Sequence, residues 1–208
     1  MNIKNNNYWD DYYNSKEHNF NPSSFALLVA KKFIKKDSYV LEVGSGDGRD
    51  TFYLRKNAKS VLSVDLSSIV IKKNKLKSKR LGYKNIKFKN LSSSDLHKIQ
   101  NKNINFIYAR FFIHSINEIS ENNFLKILST KFKDSTLIAL EFRTIKDVLM
   151  KKGKKISKYE RLTDHYRRFI DPNKFQNKLE KLNFKILYKK LGIKLSKSSN
   201  DNPHLCRI

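Results

Sequence analysis

The sequence predicts an α/β protein with a doubly wound, mostly parallel β-sheet and helices on both faces. Two observations lead to this fold class. Short apolar runs alternate along the chain with longer segments that have helix caps and a helical spacing of apolar residues. Such alternation gives parallel strands whose connecting helices cover both faces of the sheet. In addition, a glycine-rich turn follows the first apolar run directly, at the place where sheets of this class bind their ligands.

The elements follow one another in a regular order. A helix is expected after Asn21-Pro22, because proline suits the first position of a helix, and Gly82 is expected to end a later one. The predicted strands cover residues 40–43, 60–64, 86–89, 104–108, 137–142, 185–188 and 204–208, the last of them reversed. The predicted helices between these strands cover residues 49–56, 67–81, 119–132 and 171–182.

Composition excludes several classes of protein. The chain has 208 residues, 39% of them apolar, which is enough for one globular domain with a packed core. No stretch approaches the roughly 20 apolar residues of a membrane span, and the first residues lack the apolar segment of a signal peptide. Cys206 is the only cysteine, so we expect neither an internal disulfide nor a metal site. A cytoplasmic location is expected.

The net charge of +25 has two interpretations. A basic surface can bind the phosphates of a nucleic acid. Codon bias can also produce the charge, because Lys, Asn and Ile, which have A/T-rich codons, supply 35, 22 and 19 residues whereas Arg supplies only 9. A surface selected to bind phosphate is expected to use more arginine. We therefore favour bias, and expect RNA affinity in the non-specific range of about 10⁻⁴ to 10⁻⁶ M.

The glycine-rich turn has the sequence Glu42-Val-Gly-Ser-Gly-Asp-Gly48. Glycine permits a positive φ and lets a ligand lie against the backbone. A dinucleotide-binding turn needs a third glycine three residues after the second, and Arg49 occupies that position. The turn instead resembles the first motif of class I S-adenosylmethionine-dependent methyltransferases. The resemblance implies that Glu42, Gly44, Gly46 and Gly48 belong to the S-adenosylmethionine site of a seven-stranded, Rossmann-like methyltransferase fold.

The ends of the next two strands fit the same resemblance. Asp65 ends the second predicted strand, where an acid can accept hydrogen bonds from both ribose hydroxyls, and Leu66 is expected to flank the adenine. Asp95 and Leu96 match the family's adenine-reading position, although Ser94-Asp95 also suits a helix cap. The resemblance covers residues 39–142, and it places Arg110 beside the cofactor. It implies one domain, with an N-terminal helical cap (1–37), a cofactor-binding core (38–142) and an acceptor side (143–208).

The acceptor chemistry is assigned to side chains that follow the fourth and fifth strands. Methyl transfer depends mainly on alignment, and a base is needed only for an acceptor whose proton has a high pKa. His114 is the first candidate for the base, ahead of Glu141 and His165, although a lone histidine is usually structural. The long connection 144–168 is expected to fold over the acceptor. If it does not, the pocket is to be sought near Tyr8 and Trp9.

Arginine is scarce in this chain, yet two arginines adjoin His165 and Tyr166 in the sequence DHYRRFID. A guanidinium group binds carboxylate or phosphate oxygens in a bidentate manner. We therefore expect Arg143, Tyr166 and Arg168 to bind the substrate, with Arg143 or Arg168 holding an anionic group of it, although a salt-bridged loop anchor would use the same residues. The run also resembles a tract in bacterial methyltransferases of surface-glycan pathways.

Two functions follow from these residues. The first is methyl transfer to an oxygen or nitrogen atom of a small molecule, such as a sugar or a surface-glycan precursor. The alternative is an RNA methyltransferase or a nucleic-acid-binding module. The Asn/Asp-Pro-Pro-aromatic motif of enzymes that methylate exocyclic amines of nucleic acids is absent after the fourth strand, where Ala-Arg-Phe-Phe stands. A lone cysteine also excludes the paired cysteines of a cytosine-C5 enzyme. Methyl transfer to a small molecule is therefore the preferred hypothesis.

Overall fold

The computed structural model describes residues 5–15, 21–196 and 201–208, with side chains from Tyr8 onward in the first range. The predicted N-terminal cap therefore includes two stretches, 1–4 and 16–20, that lie outside the described residues. In chain order the strands are β1 (Tyr39–Val43), β2 (Ser60–Asp65), β3 (Ile86–Asn90), β4 (Phe106–Arg110), β5 (Leu137–Arg143), β6 (Lys154–Lys155), β7 (Glu160–Leu162), β8 (Tyr166–Arg168), β9 (Lys190–Gly192) and β10 (Leu205–Arg207).

Seven of these strands form one sheet in the order β3-β2-β1-β4-β5-β10-β9. The first five strands of that order pair in parallel, whereas β10 runs antiparallel to both β5 and β9. The predicted mostly parallel sheet with a reversed last strand is therefore confirmed. The carboxyl ends of β1 and β4, which lie on either side of the order reversal, define the edge where ligands of such sheets bind.

The helices are α1 (Asn5–Ser15), α2 (Ser24–Lys32), α3 (Arg49–Leu54), α4 (Ser68–Arg80), α5 (Glu118–Lys131) and α6 (Pro172–Lys181), with short 3-10 helices at Ser93–Lys98, Ile113–Ser115 and Val148–Lys151. Most of them begin with a side-chain cap that the sequence supplies. The Ser67 hydroxyl accepts the Val70 N–H at the start of α4, and Asp171 caps α6 with a proline at the first position.

Alternating side chains of β1 pack into apolar clusters on opposite faces of the sheet. In β1, Val40 belongs to the cluster that contains Phe25 and Val29 of α2. Its neighbour Leu41 belongs to the other cluster, which contains Phe124 of α5 and further residues of α5 and α6. Both faces of the parallel sheet are thus covered by helices, as the doubly wound fold class requires.

Three element predictions need correction. Residues 185–188 are not a strand, because the three-residue strand β10 pairs instead with Lys190–Gly192. Helix α2 begins at Ser24 behind a Ser23 cap, so Pro22 precedes the helix rather than occupying its first position. The connection 144–168, for which no strand was predicted, contains a 3-10 helix and a separate three-stranded sheet in the order β6-β7-β8. Both neighbouring pairs of these short strands are antiparallel.

Candidate active site

The glycine turn joins β1 to α3 through three residues in the left-handed region, where Gly44, Gly46 and Gly48 have φ values of 74°, 51° and 76°. The backbone N–H groups of Gly44 and Ser45 donate to the Val64 carbonyl at 2.9 and 3.1 Å, which fixes the turn against the end of β2. Residues with a Cβ rarely adopt these φ values, so the turn depends on glycine at all three positions.

Glu42 lies beneath this turn and is 3% exposed. Its carboxylate accepts hydrogen bonds from the Thr51 hydroxyl of α3 and, at 2.9 Å, from the Ser63 hydroxyl of β2. Burial and the nearby Asp50 raise the pKa of Glu42 to about 8. Through these contacts Glu42 supports the glycine turn from below, and its membership of the cofactor site remains a prediction.

Asp65 joins the turn to the following helix. One of its carboxylate oxygens accepts the Gly46 N–H at 2.8 Å, and the other accepts the Ser67 N–H at 2.9 Å. Burial raises the pKa of Asp65, and these backbone hydrogen bonds oppose that shift. The next residue, Leu66, is 41% exposed beside this carboxylate. The acid and the apolar surface therefore lie next to the glycine turn, as the sequence predicted.

Asp95 and Leu96, the pair predicted to contact the adenine, differ in their accessibility to a ligand. Asp95 lies in the 3-10 helix Ser93–Lys98, and its carboxylate pairs with Lys98 at 2.7 Å. This partner lowers the pKa of Asp95. The Leu96 side chain is fully buried in the core, so only its backbone is available to a ligand.

The residues that follow β4 bring aromatic rings to the turn. Phe111 has a φ of 55°, which is an outlier for a bulky residue and marks strain at the strand end. Its ring packs under the Arg110 guanidinium group, whose carbon is 4.1 Å from the ring centroid. Phe112 lies over Gly44, because a Cβ added to that glycine would be 3.2 Å from the Phe112 ring. The strained strand end therefore closes one side of the turn.

Glu141 is fully buried between two arginines. One oxygen pairs with Arg110 at 2.9 Å, and the other pairs with Arg207 of β10 at 2.5 Å. Burial raises the pKa of Glu141, whereas the two guanidinium groups lower it. The carboxylate holds β4, β5 and β10 together, and because it is fully buried its remaining lone pairs are not accessible to an acceptor.

His114 is buried and accepts a hydrogen bond from the backbone N–H of Arg143, at 3.2 Å from its Nδ1. Burial and the nearby cations, Arg143 first among them, lower the pKa of His114 well below its ordinary value. The Arg143 guanidinium group pairs with Asp147 at 2.9 Å and also with Asp201. A neutral imidazole that accepts through Nδ1 carries its proton on Nε2, so His114 can donate but has no free lone pair.

The four consecutive residues 165–168 divide between two faces of β8 because neighbouring side chains of a strand point in opposite directions. The Tyr166 hydroxyl donates to Glu160, and Arg168 pairs with Glu121 of α5. His165 and Arg167 lie on the other face and contact Asp164. Besides burial, the charges of Arg143 and His165 both lower the pKa of His114, so these groups lie near one another, whereas Tyr166 points towards β7 and Arg168 towards α5.

His165 packs against α1. Its ring centroid is 4.9 Å from that of Tyr8 and 5.0 Å from that of Trp9. Its Nδ1 atom lies 3.0 Å from the Tyr8 hydroxyl and 3.1 Å from a carboxylate oxygen of Asp164. Burial, reinforced by the charge of Arg167, lowers the pKa of His165 to about 4, so the ring is neutral at pH 7.

Tyr13 is the main site residue that the sequence reasoning missed. It lies on α1, and its hydroxyl occupies the position that a side chain on Gly46 would need. Burial and the charges of Asp65 and Asp47 raise its pKa well above the ordinary value, so the hydroxyl remains a donor. The signal for this helix is the i, i+4 spacing of aromatic residues in Tyr-Trp-Asp-Asp-Tyr-Tyr, which places two ring pairs on one side of a helix.

Comparison with protein families identifies the family of this chain. Residues 13–189 match the family model described as a methyltransferase domain. The chain belongs to this methyltransferase family. The match covers the glycine turn, Asp65, the strained end of β4 and His165, and the predicted class I S-adenosylmethionine-dependent methyltransferase family and its cofactor are confirmed. No curated protein sequence matches this methyltransferase.

Solved structures share its fold. A protein described by the conversion of a disulfide bond into a thioacetal group during echinomycin biosynthesis has a TM-score of 0.74 and 12% identity, covering 97% of this chain and 90% of its own. An S-adenosylmethionine-dependent methyltransferase from Methanosarcina mazei has a TM-score of 0.72 and 15% identity, covering 86% of this chain and 96% of its own. A Burkholderia thailandensis 1,6-didemethyltoxoflavin-N1-methyltransferase, with bound 1,6-didemethyltoxoflavin and S-adenosylhomocysteine, has a TM-score of 0.63 and 15% identity, with coverages of 88% and 74%.

The residues of the methyltransferase fit its cofactor. Each Asp65 oxygen accepts one backbone N–H and retains a lone pair for a ribose hydroxyl. The Ser45 hydroxyl is buried within the glycine turn and has no hydrogen-bond partner among the described residues. A polar ligand group at the turn would satisfy this orphaned atom. Within the described ranges, no helix is long and apolar enough to cross a membrane.

Proposed function

We propose that this methyltransferase transfers a methyl group to an oxygen or nitrogen atom of a small molecule, with His165 as the general base. The observation that carries the proposal is the contact between His165 Nδ1 and the Asp164 carboxylate at 3.1 Å. A carboxylate only accepts hydrogen bonds, so this contact puts the imidazole proton on Nδ1 and the lone pair on Nε2. Burial keeps the ring neutral, with a pKa of about 4.

The other two candidate bases are engaged differently. The lone pair of His114 Nδ1 accepts the Arg143 N–H at 3.2 Å, and both oxygens of Glu141 form ion pairs. The geometry therefore favours His165, which ranked last of the three in the sequence-based order. We assign His114 the role of a donor through Nε2 and Glu141 a structural role.

The cofactor side of the proposal uses the turn and its neighbours. Gly44, Gly46 and Asp65 would hold S-adenosylmethionine, with Leu66 beside the adenine. When bound, this cofactor supplies an electrophilic methyl group on a positively charged sulfur. The protein contributes alignment, exclusion of water by the rings of Tyr13 and Phe112, and removal of the acceptor proton at His165 Nε2.

The charge balance favours a neutral acceptor. Asp147 and Asp201 already pair with Arg143, and Glu121 already pairs with Arg168. These two arginines therefore present no uncompensated charge to an anionic substrate. A hydroxyl-bearing acceptor such as a sugar or glycan precursor suits this site. Similarity to a methyltransferase bound to 1,6-didemethyltoxoflavin supports a small acceptor.

The test is transfer of labelled methyl groups from S-adenosylmethionine to fractions of small metabolites, RNA and protein. We expect label in the small-metabolite fraction. His165→Ala should lower turnover roughly 10²- to 10⁴-fold while leaving cofactor affinity unchanged. His97→Ala removes an exposed imidazole and serves as the matched control. Full turnover in His165→Ala, or label confined to RNA, would contradict the proposal.

A further inference from the structure

Three polar atoms meet where α1 contacts the β7–β8 turn. The Tyr8 hydroxyl donates to Asp164 Oδ2 at 3.1 Å, and both groups lie within hydrogen-bond distance of His165 Nδ1, at 3.0 and 3.1 Å. Tyr8 belongs to a helix more than 150 residues away in sequence, so only the tertiary fold brings these groups together.

The protons in this group can be placed by counting. The single Tyr8 hydroxyl proton goes to Asp164, so the hydroxyl oxygen can only accept from His165. The Asp164 carboxylate can only accept as well, and Arg167 lowers the pKa of Asp164, which keeps it ionised. Both partners of Nδ1 are therefore acceptors, and Nδ1 must carry the imidazole proton.

Asp164 is itself held in place. Arg167 pairs with one of its oxygens and lies 3.4 Å from the other, and the Thr163 hydroxyl donates to Asp164 at 2.8 Å. The rings of Tyr8 and Trp9 pack on the imidazole and restrict its rotation. The orientation of His165 is thus fixed from two sides, by its own turn and by α1.

We propose that Tyr8 and Asp164 are positioning residues for His165, which keep its proton on Nδ1 and its Nε2 lone pair available to the acceptor. The inference rests on the proposed function in that His165 is the base. It extends that function to α1, because the helix that supplies Tyr8 also places Tyr13 on Gly46. The base is therefore aligned only when α1 is seated over the glycine turn.

The test is nitrogen-15 NMR of the histidine rings in the full chain, with the His165 signals assigned by their loss in His165→Gln. Wild type should show a protonated Nδ1. Asp164→Asn and Tyr8→Phe, which lie on different elements, should each give a mixture of the two neutral tautomers. Asp164 raises the pKa of His165, so Asp164→Asn should also lower that pKa. Asp37→Asn before β1 and Tyr53→Phe of α3 are matched controls on other elements.

Turnover gives the second readout, with the acceptor found by the label-transfer screen. Asp164→Asn should lower kcat roughly 10- to 10⁴-fold, as expected when a base is held in the wrong tautomer, with little change in acceptor KM or in S-adenosylhomocysteine affinity. Unchanged tautomers in both variants would overturn the inference while an inactive His165→Ala still supported the proposed function. Full turnover in His165→Ala would instead overturn both.

Discussion

The contact between Gly46 and Tyr13 can be tested by adding one methyl group. Gly46→Ala places a Cβ where the Tyr13 hydroxyl lies, at a φ of 51°. Gly82→Ala is a matched control, because Gly82 also has a positive φ, of 65°, but has no atom within 4 Å of an added Cβ. Both substitutions therefore force alanine into the left-handed region, but only Gly46→Ala also creates a steric clash.

The magnitudes follow from these surroundings. Alanine in the left-handed region costs about 1–2 kcal/mol, partly offset by the lower entropy of the unfolded chain, so Gly82→Ala should lose about 1 kcal/mol of unfolding free energy. Gly46→Ala should lose a further 1–3 kcal/mol, roughly, because the Tyr13 ring must move. The displaced ring should also weaken S-adenosylhomocysteine binding roughly 10-fold or more.

Urea denaturation and calorimetry measure the two effects. Repeating Gly46→Ala in a Tyr13→Phe background removes the clashing oxygen, and the nearest ring atom would then be 3.2 Å from the added Cβ. The extra destabilisation should shrink but not vanish. Equal losses for Gly46→Ala and Gly82→Ala, with no relief in the Tyr13→Phe background, would refute the placement of α1 over the turn.

Two further outcomes are expected. Asp65→Ala removes charge-assisted hydrogen bonds worth roughly 1.5–3 kcal/mol, so it should weaken cofactor binding, measured by calorimetry, about 10- to 150-fold. Asp37→Ala, which changes an exposed aspartate, should leave the affinity unchanged. If the Asp65→Ala and Asp37→Ala variants bound the cofactor equally well, Asp65 would not belong to the site. Glu42 has a pKa raised to about 8, so the folded state binds a proton that the unfolded state releases above its ordinary pKa of 4.5. The free energy of unfolding of the wild type should therefore fall as pH rises from about 5 to 8. Urea titrations should show a smaller fall for Glu42→Gln. Identical pH profiles for the two proteins would contradict the raised pKa of Glu42.

The fold class and the residues proposed to bind the cofactor could be predicted from local sequence. The glycine turn is a local strand–turn–helix feature, and its need for positive φ can be read from three alternate glycines. Asp65 ends the neighbouring parallel strand, so the strand ends place it beside the turn without further information. The family model and the sheet order agree with what these residues predicted.

The candidates for the acceptor side could not be ranked without the tertiary contacts. The strand register of β8 separates His165 from Tyr166 and Arg168, and no local signal gave that register. Glu141 is occupied by Arg207, which is 66 residues away. His165 takes its partner Tyr8 from α1, 157 residues away. Hydrogen-bond partners over such separations are set by the packing of whole elements. Whether a given side chain can act as a base or has a structural role therefore depends on the partner with which it packs.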